Sequence, residues 1–325
     1  MSTSAARTPG GSAPAADPIA APPAPDAPPE PAAPPDRAAA PSWGVLSRLV
    51  RRPSSLFGLV VIAIIVIAAV AAPVLAPWDP NEQSFDGLTI EGAPVPPSAT
   101  YPFGTDLLGR DLLSRLLYGA RTSLFIGIVA NGIAVLIGAT VGIVAGYAGG
   151  WLGAGLMRFT DLMMAFPALL LAIVLASIFT PSVWIVALVI AMVNWVQMAR
   201  VIYTETRSLK EREFIAAQVA IGSGRLRVLG KHVLPHLLSS IIVFGTLGIS
   251  TTVLLEATLG YLGVGVQPPT PSWGNIIFEN QTYFDSAPWL VFIPGALIVL
   301  LALAFNLVGD ALRDVLDPTL KGRHG

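Results

Sequence analysis

Few side chains in this 325-residue chain could do chemistry, and their types exclude most of it. There is no cysteine, so neither a disulfide nor a thiolate–metal site can form. The histidines, His232, His236 and His324, lie in polar or boundary segments without His-Glu-x-x-His spacing, so no metal site is expected. No Gly-x-x-x-x-Gly-Lys-Ser/Thr phosphate loop occurs, so the chain is not expected to hydrolyse ATP by that route, and no catalytic residue is assigned. What remains is an acid in an odd place. Glu256 sits well inside an apolar run, where an uncompensated carboxylate costs several kcal/mol, so it must face protein or a water-filled path. It is either a pathway or gating residue or a hydrogen-bonded structural carboxyl.

Three other features depend on the elements that carry them. Gly138, Gly142 and Gly146 recur every fourth residue, which would give a helix one flat face for close packing, although Gly-rich membrane helices also produce such spacing by chance. Asp161 is expected at the start of a helix, capping its free N–H groups. Tyr101, Trp78 and Trp289 fall near run ends, as an interfacial aromatic belt would place them.

The elements are long apolar runs. Hydrophobic residues make up 54% of the chain and charged ones only 12%, against roughly 25% charged in a soluble domain. Crossing a bilayer takes about 20 apolar helical residues, and six segments qualify: 56–76, 122–145, 162–180, 182–203, 237–262 and 288–309. An all-α polytopic membrane protein of about six transmembrane helices follows. Pro73, Pro167 and Pro294 fall inside these segments, which membrane helices tolerate. A net charge of -1 leaves no basic surface for nucleic acid.

Lysine and arginine resist translocation, so they mark the inner side. With both termini cytoplasmic, every cation except Arg110, Arg115 and Arg121 falls inside; those three precede the second span on the outer side. Residues 1–44 are read as a disordered Ala/Pro-rich cytoplasmic tail, because the first 42 residues hold twelve of the 29 prolines and almost no large apolar side chain. Residues 45–121 hold the first span and an extracytoplasmic loop, 122–310 the main transmembrane domain, and 311–325 a cytoplasmic tail.

The cytoplasmic loop 205–236 is too long and too patterned for a simple connection. It reads as two short helices broken at Gly222. Phe214, Ala217 and Ile221 share a face beside Glu211, Arg212 and Glu213; Leu226, Leu229 and Val233 alternate with Arg225, Arg227 and Lys231 before Leu234-Pro235. Such a segment either lies on anionic lipid or docks a soluble partner, and its small residues favour protein.

At this loop the sequence resembles the permease subunits of bacterial ABC importers, whose Glu-Ala-Ala loop has a Gly four positions after its last Ala and a Leu-Pro about a dozen residues later. Glu213, Phe214, Ala216, Ala217, Gly222, Leu234 and Pro235 occupy that ATPase-coupling segment, with Ala216 where the pattern has Glu and Gln218 where it has Ala. Three further stretches resemble the C-type permease subunit of dipeptide, oligopeptide and nickel importers. They are Pro102-Phe103-Gly104-Thr105-Asp106-Leu107-Leu108-Gly109-Arg110-Asp111 with Ser114-Arg115; Gly263-Val264-Gly265-Val266-Gln267-Pro268-Pro269-Thr270-Pro271-Ser272-Trp273-Gly274; and Gly309-Asp310-Ala311-Leu312-Arg313-Asp314 with Asp317-Pro318. The resemblance implies a type I ABC importer permease fold in the plasma or inner membrane, in contact with lipid. It implies a homologous B-type permease subunit, two ATPase subunits that use ATP, and an extracytoplasmic solute-binding protein that delivers peptides or a small solute such as nickel. This chain itself would hold no cofactor.

A secondary transporter is the nearest rival, but it needs no patterned inner loop. An intramembrane enzyme would need a nucleophile and base, or metal ligands, facing each other inside the membrane, and the sequence offers neither.

Overall fold

A computed structural model describes residues 42–316; the tail through residue 41 and residues 317–325, with Asp317-Pro318, lie outside it. The described chain is helical without a strand. α1 (Ser42–Val50) and α2 (Pro53–Val70) meet at Arg52, and α2 starts on Pro53, whose missing N–H costs nothing in a first turn. A one-turn α3 (Ala72–Leu75) carries Pro73 and ends the first span. After an irregular segment, 76–111, come α4 (Leu112–Ala148), α5 (Gly150–Ala165), α6 (Ala168–Ile178) and α7 (Val183–Lys210). The next segment holds α8 (Glu213–Ala220) and α9 (Arg225–Val228), which runs through a π-turn (Leu229–Val233) into α10 (Leu234–Tyr261). α11 (Trp273–Asn280) and α12 (Trp289–Leu316) complete the chain.

Among the described residues, α2, α4, α7, the continuous run Arg225–Tyr261 and α12 are each long and apolar enough to span a bilayer. A sixth span is possible only as the pair α5 and α6, bent by 89°. The expected helix over 162–180 is therefore broken at Phe166-Pro167, where Pro167 disfavours helical φ/ψ in the residue before it.

The same break overturns the expected role of Asp161, which lies inside α5 and pairs with Arg200 of α7 instead of capping a helix start. α4 begins ten residues before the expected position, because the Asp111 carboxylate accepts from the Ser114 N–H at 2.8 Å and caps it. Arg115 and Arg121 are thus helical, and the boundary placed at residue 121 falls inside α4, as the one at 310 falls inside α12. Nor is Tyr101 a belt residue: it is buried, its ring 5.9 Å from that of Trp78.

α4 and α7 are the closest pair, and glycine sets their register. A Cβ on Gly138 would lie 2.5 Å from the Trp195 carbonyl oxygen; on Gly142, 2.6 Å from that of Ala199; on Gly146, 2.9 Å from that of Tyr203. Four-residue steps on one helix meet four-residue steps on the other in the same direction, so the helices run parallel and α5 with α6 carries the chain back between them. Gly142→Ala should cost about 1–3 kcal/mol through overpacking, read as a lower unfolding midpoint of the purified protein. Gly132→Ala, also in α4 but with nothing within 4 Å, is the control. Equal midpoints for the two variants would refute the register.

Candidate functional site

The two ends of the bundle carry different chemistry. At one end two of the resemblance stretches, 102–115 and 263–274, converge. Ser272 caps α11, accepting from the Asn275 N–H at 3.3 Å while the Asn275 carboxamide accepts from the Ser272 N–H at 2.9 Å. Asn275 Nδ2 also donates to the carbonyls of Val266 and Thr270, closing the loop that leads in. The Trp273 indole N–H reaches the Leu116 carbonyl of α4 at 3.0 Å, so the start of α11 is fastened to α4.

Next to this contact lies a buried quartet. Asp106, Arg110 and Arg115 are almost wholly buried, and Glu279 of α11 nearly so. Arg110 Nε donates to Asp106 Oδ2 at 2.6 Å, and both Arg110 and Arg115 donate to Glu279 Oε2, at 2.9 and 2.7 Å. Asp106 Oδ1 accepts from the N–H groups of Leu108 and Arg110, and Leu107 N–H donates to Asn280. Two guanidinium and two carboxylate groups cancel in charge while clasping the segment before α4, α4 itself and α11 together. These residues were not among the expected site residues. The Asp106, Arg110 and Arg115 spacing carried the signal, but Glu279 is 164 residues from Arg115 and only the fold joins them.

Glu256 lies in α10 nearby and is completely buried. The hydroxyls of Ser123 in α4 and Ser272 at α11 lie beside it, yet among the described residues no donor reaches either carboxylate oxygen in hydrogen-bond geometry. It faces the junction of α4, α10 and α11.

The opposite end is built on apolar packing. Ile215 of α8 is buried with Ile202 and Leu209 of α7, Val228, Val233 and Leu237, and Ala139 of α4. The face turned to the protein is therefore that of Ile215, and the expected face of Phe214, Ala217 and Ile221 points outward. Phe214 stacks on the His236 ring at 5.4 Å, while Ala216, Ala217, Val219 and Ile221 are exposed. α8 ends in a Schellman turn: Ser223 N–H donates to the Gln218 carbonyl, Gly222 N–H to that of Val219, and Gly222 takes φ 83°. The second expected helix is no separate element, because α9 continues into α10 and Pro235 sits in the first turn of α10, where proline is tolerated. Glu213 stands in the first turn of α8, while Leu234 and Pro235 are exposed at the start of α10. A rigid link thus runs from the exposed helix into a span.

This is the architecture of a multi-pass membrane protein with an exposed helix wired to its spans, and comparison with known proteins agrees. Residues 138–322 match the family described as binding-protein-dependent transport system inner membrane component, and residues 41–94 the N-terminal TM domain of oligopeptide transport permease C. The dipeptide transport system permease protein of Alkalihalophilus pseudofirmus is 40% identical over 82% of this chain and 86% of its own length. That of Haemophilus influenzae is 41% identical over 82% and 91%. The oligopeptide transport system permease protein of Bacillus subtilis is 35% identical over 82% and 86%. A chain of the MetNI methionine ABC transporter, in inward-facing conformations, shares the fold with a TM-score of 0.51, at 19% identity, over 62% of this chain and 96% of that one. The chain belongs to the family of binding-protein-dependent transport system inner membrane components.

Proposed function

We propose that this chain forms half of the translocation pathway of an ATP-driven importer of di- and oligopeptides. The peptide reading draws on the dipeptide and oligopeptide permeases that it resembles over most of its length. The other half is a homologous B-type permease, and an extracytoplasmic binding protein delivers the solute. Two ATPase subunits bind and hydrolyse ATP at the inner face, so this subunit does no catalysis and holds no cofactor. Both termini are cytoplasmic, which puts the cation-rich α8–α9 segment beside the ATPases. Glu256, buried where α4, α10 and α11 meet, serves as the pathway or gating residue.

The observation that carries the coupling role is the anchoring of α8. Ile215 is locked into the bundle while Ala216, Ala217, Val219 and Ile221 stay exposed, and a lipid-lying helix would instead bury its apolar face in the bilayer. A single cysteine at Ala217, in a chain that has none, tests this. In the assembled importer it should cross-link to an ATPase subunit within a short linker's reach. If cysteines along α8 label only with lipid-phase reagents and never reach an ATPase, the coupling role is wrong.

A further inference from the structure

Midway along the spans, α4, α7 and α10 line an open cavity of about 180 Å³. Its polar lining is Asn131, Asn194, Gln197 and Thr251, and no Asp, Glu, Lys or Arg lines it. These residues lie near the centres of their helices, where the surrounding hydrocarbon would make an uncovered amide costly.

The site is built. Asn131 Nδ2 donates to the Gly245 carbonyl at 2.7 Å, and Asn194 Nδ2 to Thr252 Oγ1 at 3.2 Å, fixing two carboxamides across helices. A Cβ on Gly248 would lie 2.2 Å from Asn131 Oδ1, so glycine there makes room for the amide. Gln197, by contrast, is exposed on α7, three residues from Asn194 on the same face, and its carboxamide has no hydrogen-bond partner among the described residues. A polar group so placed needs water, a solute or another subunit.

We propose that this cavity is the chain's half of a solute chamber that holds a passing peptide through its backbone amides and ignores side-chain charge. Asn and Gln carboxamides offer both donor and acceptor, matching backbone N–H and C=O groups. The absence of a fixed charge leaves nothing to select or repel acidic or basic side chains. The proposal rests on the peptide reading above.

The test uses the complete importer with its binding protein, and three probes: trialanine, Ala-Lys-Ala and Ala-Glu-Ala. Gln197→Leu, apolar and compatible with insertion, should lower uptake of all three by a similar factor of roughly tenfold, as expected for one lost hydrogen bond. Gln197→Cys should react with a charged, membrane-impermeant thiol reagent, and trialanine should slow that reaction. Wild-type uptake rates in Gln197→Leu overturn the chamber, as does loss confined to one charge class. A Gln197→Cys thiol that is unreactive, or reactive but unprotected by trialanine, overturns it too. A wild-type importer that carries none of the three peptides overturns the peptide reading and the chamber with it; wild-type uptake beside an unaffected variant overturns the chamber alone.

Discussion

Replacing Arg115 with methionine should destabilise the protein by about 3–5 kcal/mol, the usual cost of breaking a buried ion pair from one side. Arg115 is wholly buried and donates to Glu279 at 2.7 Å and to the Pro80 carbonyl at 3.3 Å, with its Nε 3.3 Å from Asp106. Methionine fills similar space, so loss of charge dominates over loss of volume. One guanidinium would then face two buried carboxylates. The unfolding midpoint of the purified protein should fall by roughly 10 °C, given a few degrees per kcal/mol for a chain of this size. Arg115→Met with Glu279→Leu should recover much of that, because it removes one charge of each sign and leaves the Arg110–Asp106 pair at 2.6 Å. A midpoint unchanged in the single variant, or lower still in the double, would show that the four charges do not act as one neutral unit.

That quartet also explains where sequence reasoning stopped. The apolar runs are visible because hydrocarbon imposes a length and a composition, so the spans α2, α4, α7, α10 and α12 can be read from the chain directly. The start of α4 cannot, since Arg115 and Arg121 look like loop residues until Asp106 and Glu279 neutralise Arg115 inside protein. Asp161 misleads in the same way: its partner Arg200 is 39 residues on, and Pro167, which a membrane helix can tolerate as a mere kink, here bends the chain by 89°. For α8, the periodicity of Phe214, Ala217 and Ile221 marks the stripe left open to a partner but does not say what anchors the helix. Ile215 is covered, by side chains from α4, α7 and α10 brought there only by the fold. The glycines of α4 were legible in spacing but not in partner, whose register with α7 is a property of the packed pair.

The coupling segment gives the largest expected functional effect. Gly222 closes the Schellman turn at φ 83°, and a Cβ there would meet nothing within 4 Å. Any cost of substitution is therefore backbone strain: about 1–2 kcal/mol for an ordinary residue in the left-handed region, and more for a β-branched one. Gly224 is equally open, with nothing within 4 Å, but sits at φ -63°. The two glycines thus separate strain from mere loss of flexibility. Gly222→Val should re-aim α8 relative to α9 while leaving the spans untouched, since its contacts with the bundle pass through Ile215 and Val228 and not through the turn itself. Peptide uptake by the assembled importer should fall at least roughly tenfold, while the amount of membrane-inserted protein holds and ATP hydrolysis continues without transport. Gly222→Ala should lie between, and Gly224→Ala should transport normally. Normal uptake by Gly222→Val would mean that the angle between α8 and α10 does not transmit ATPase closure, and equal losses at Gly222 and Gly224 would mean that flexibility, not the left-handed turn, is what the segment requires.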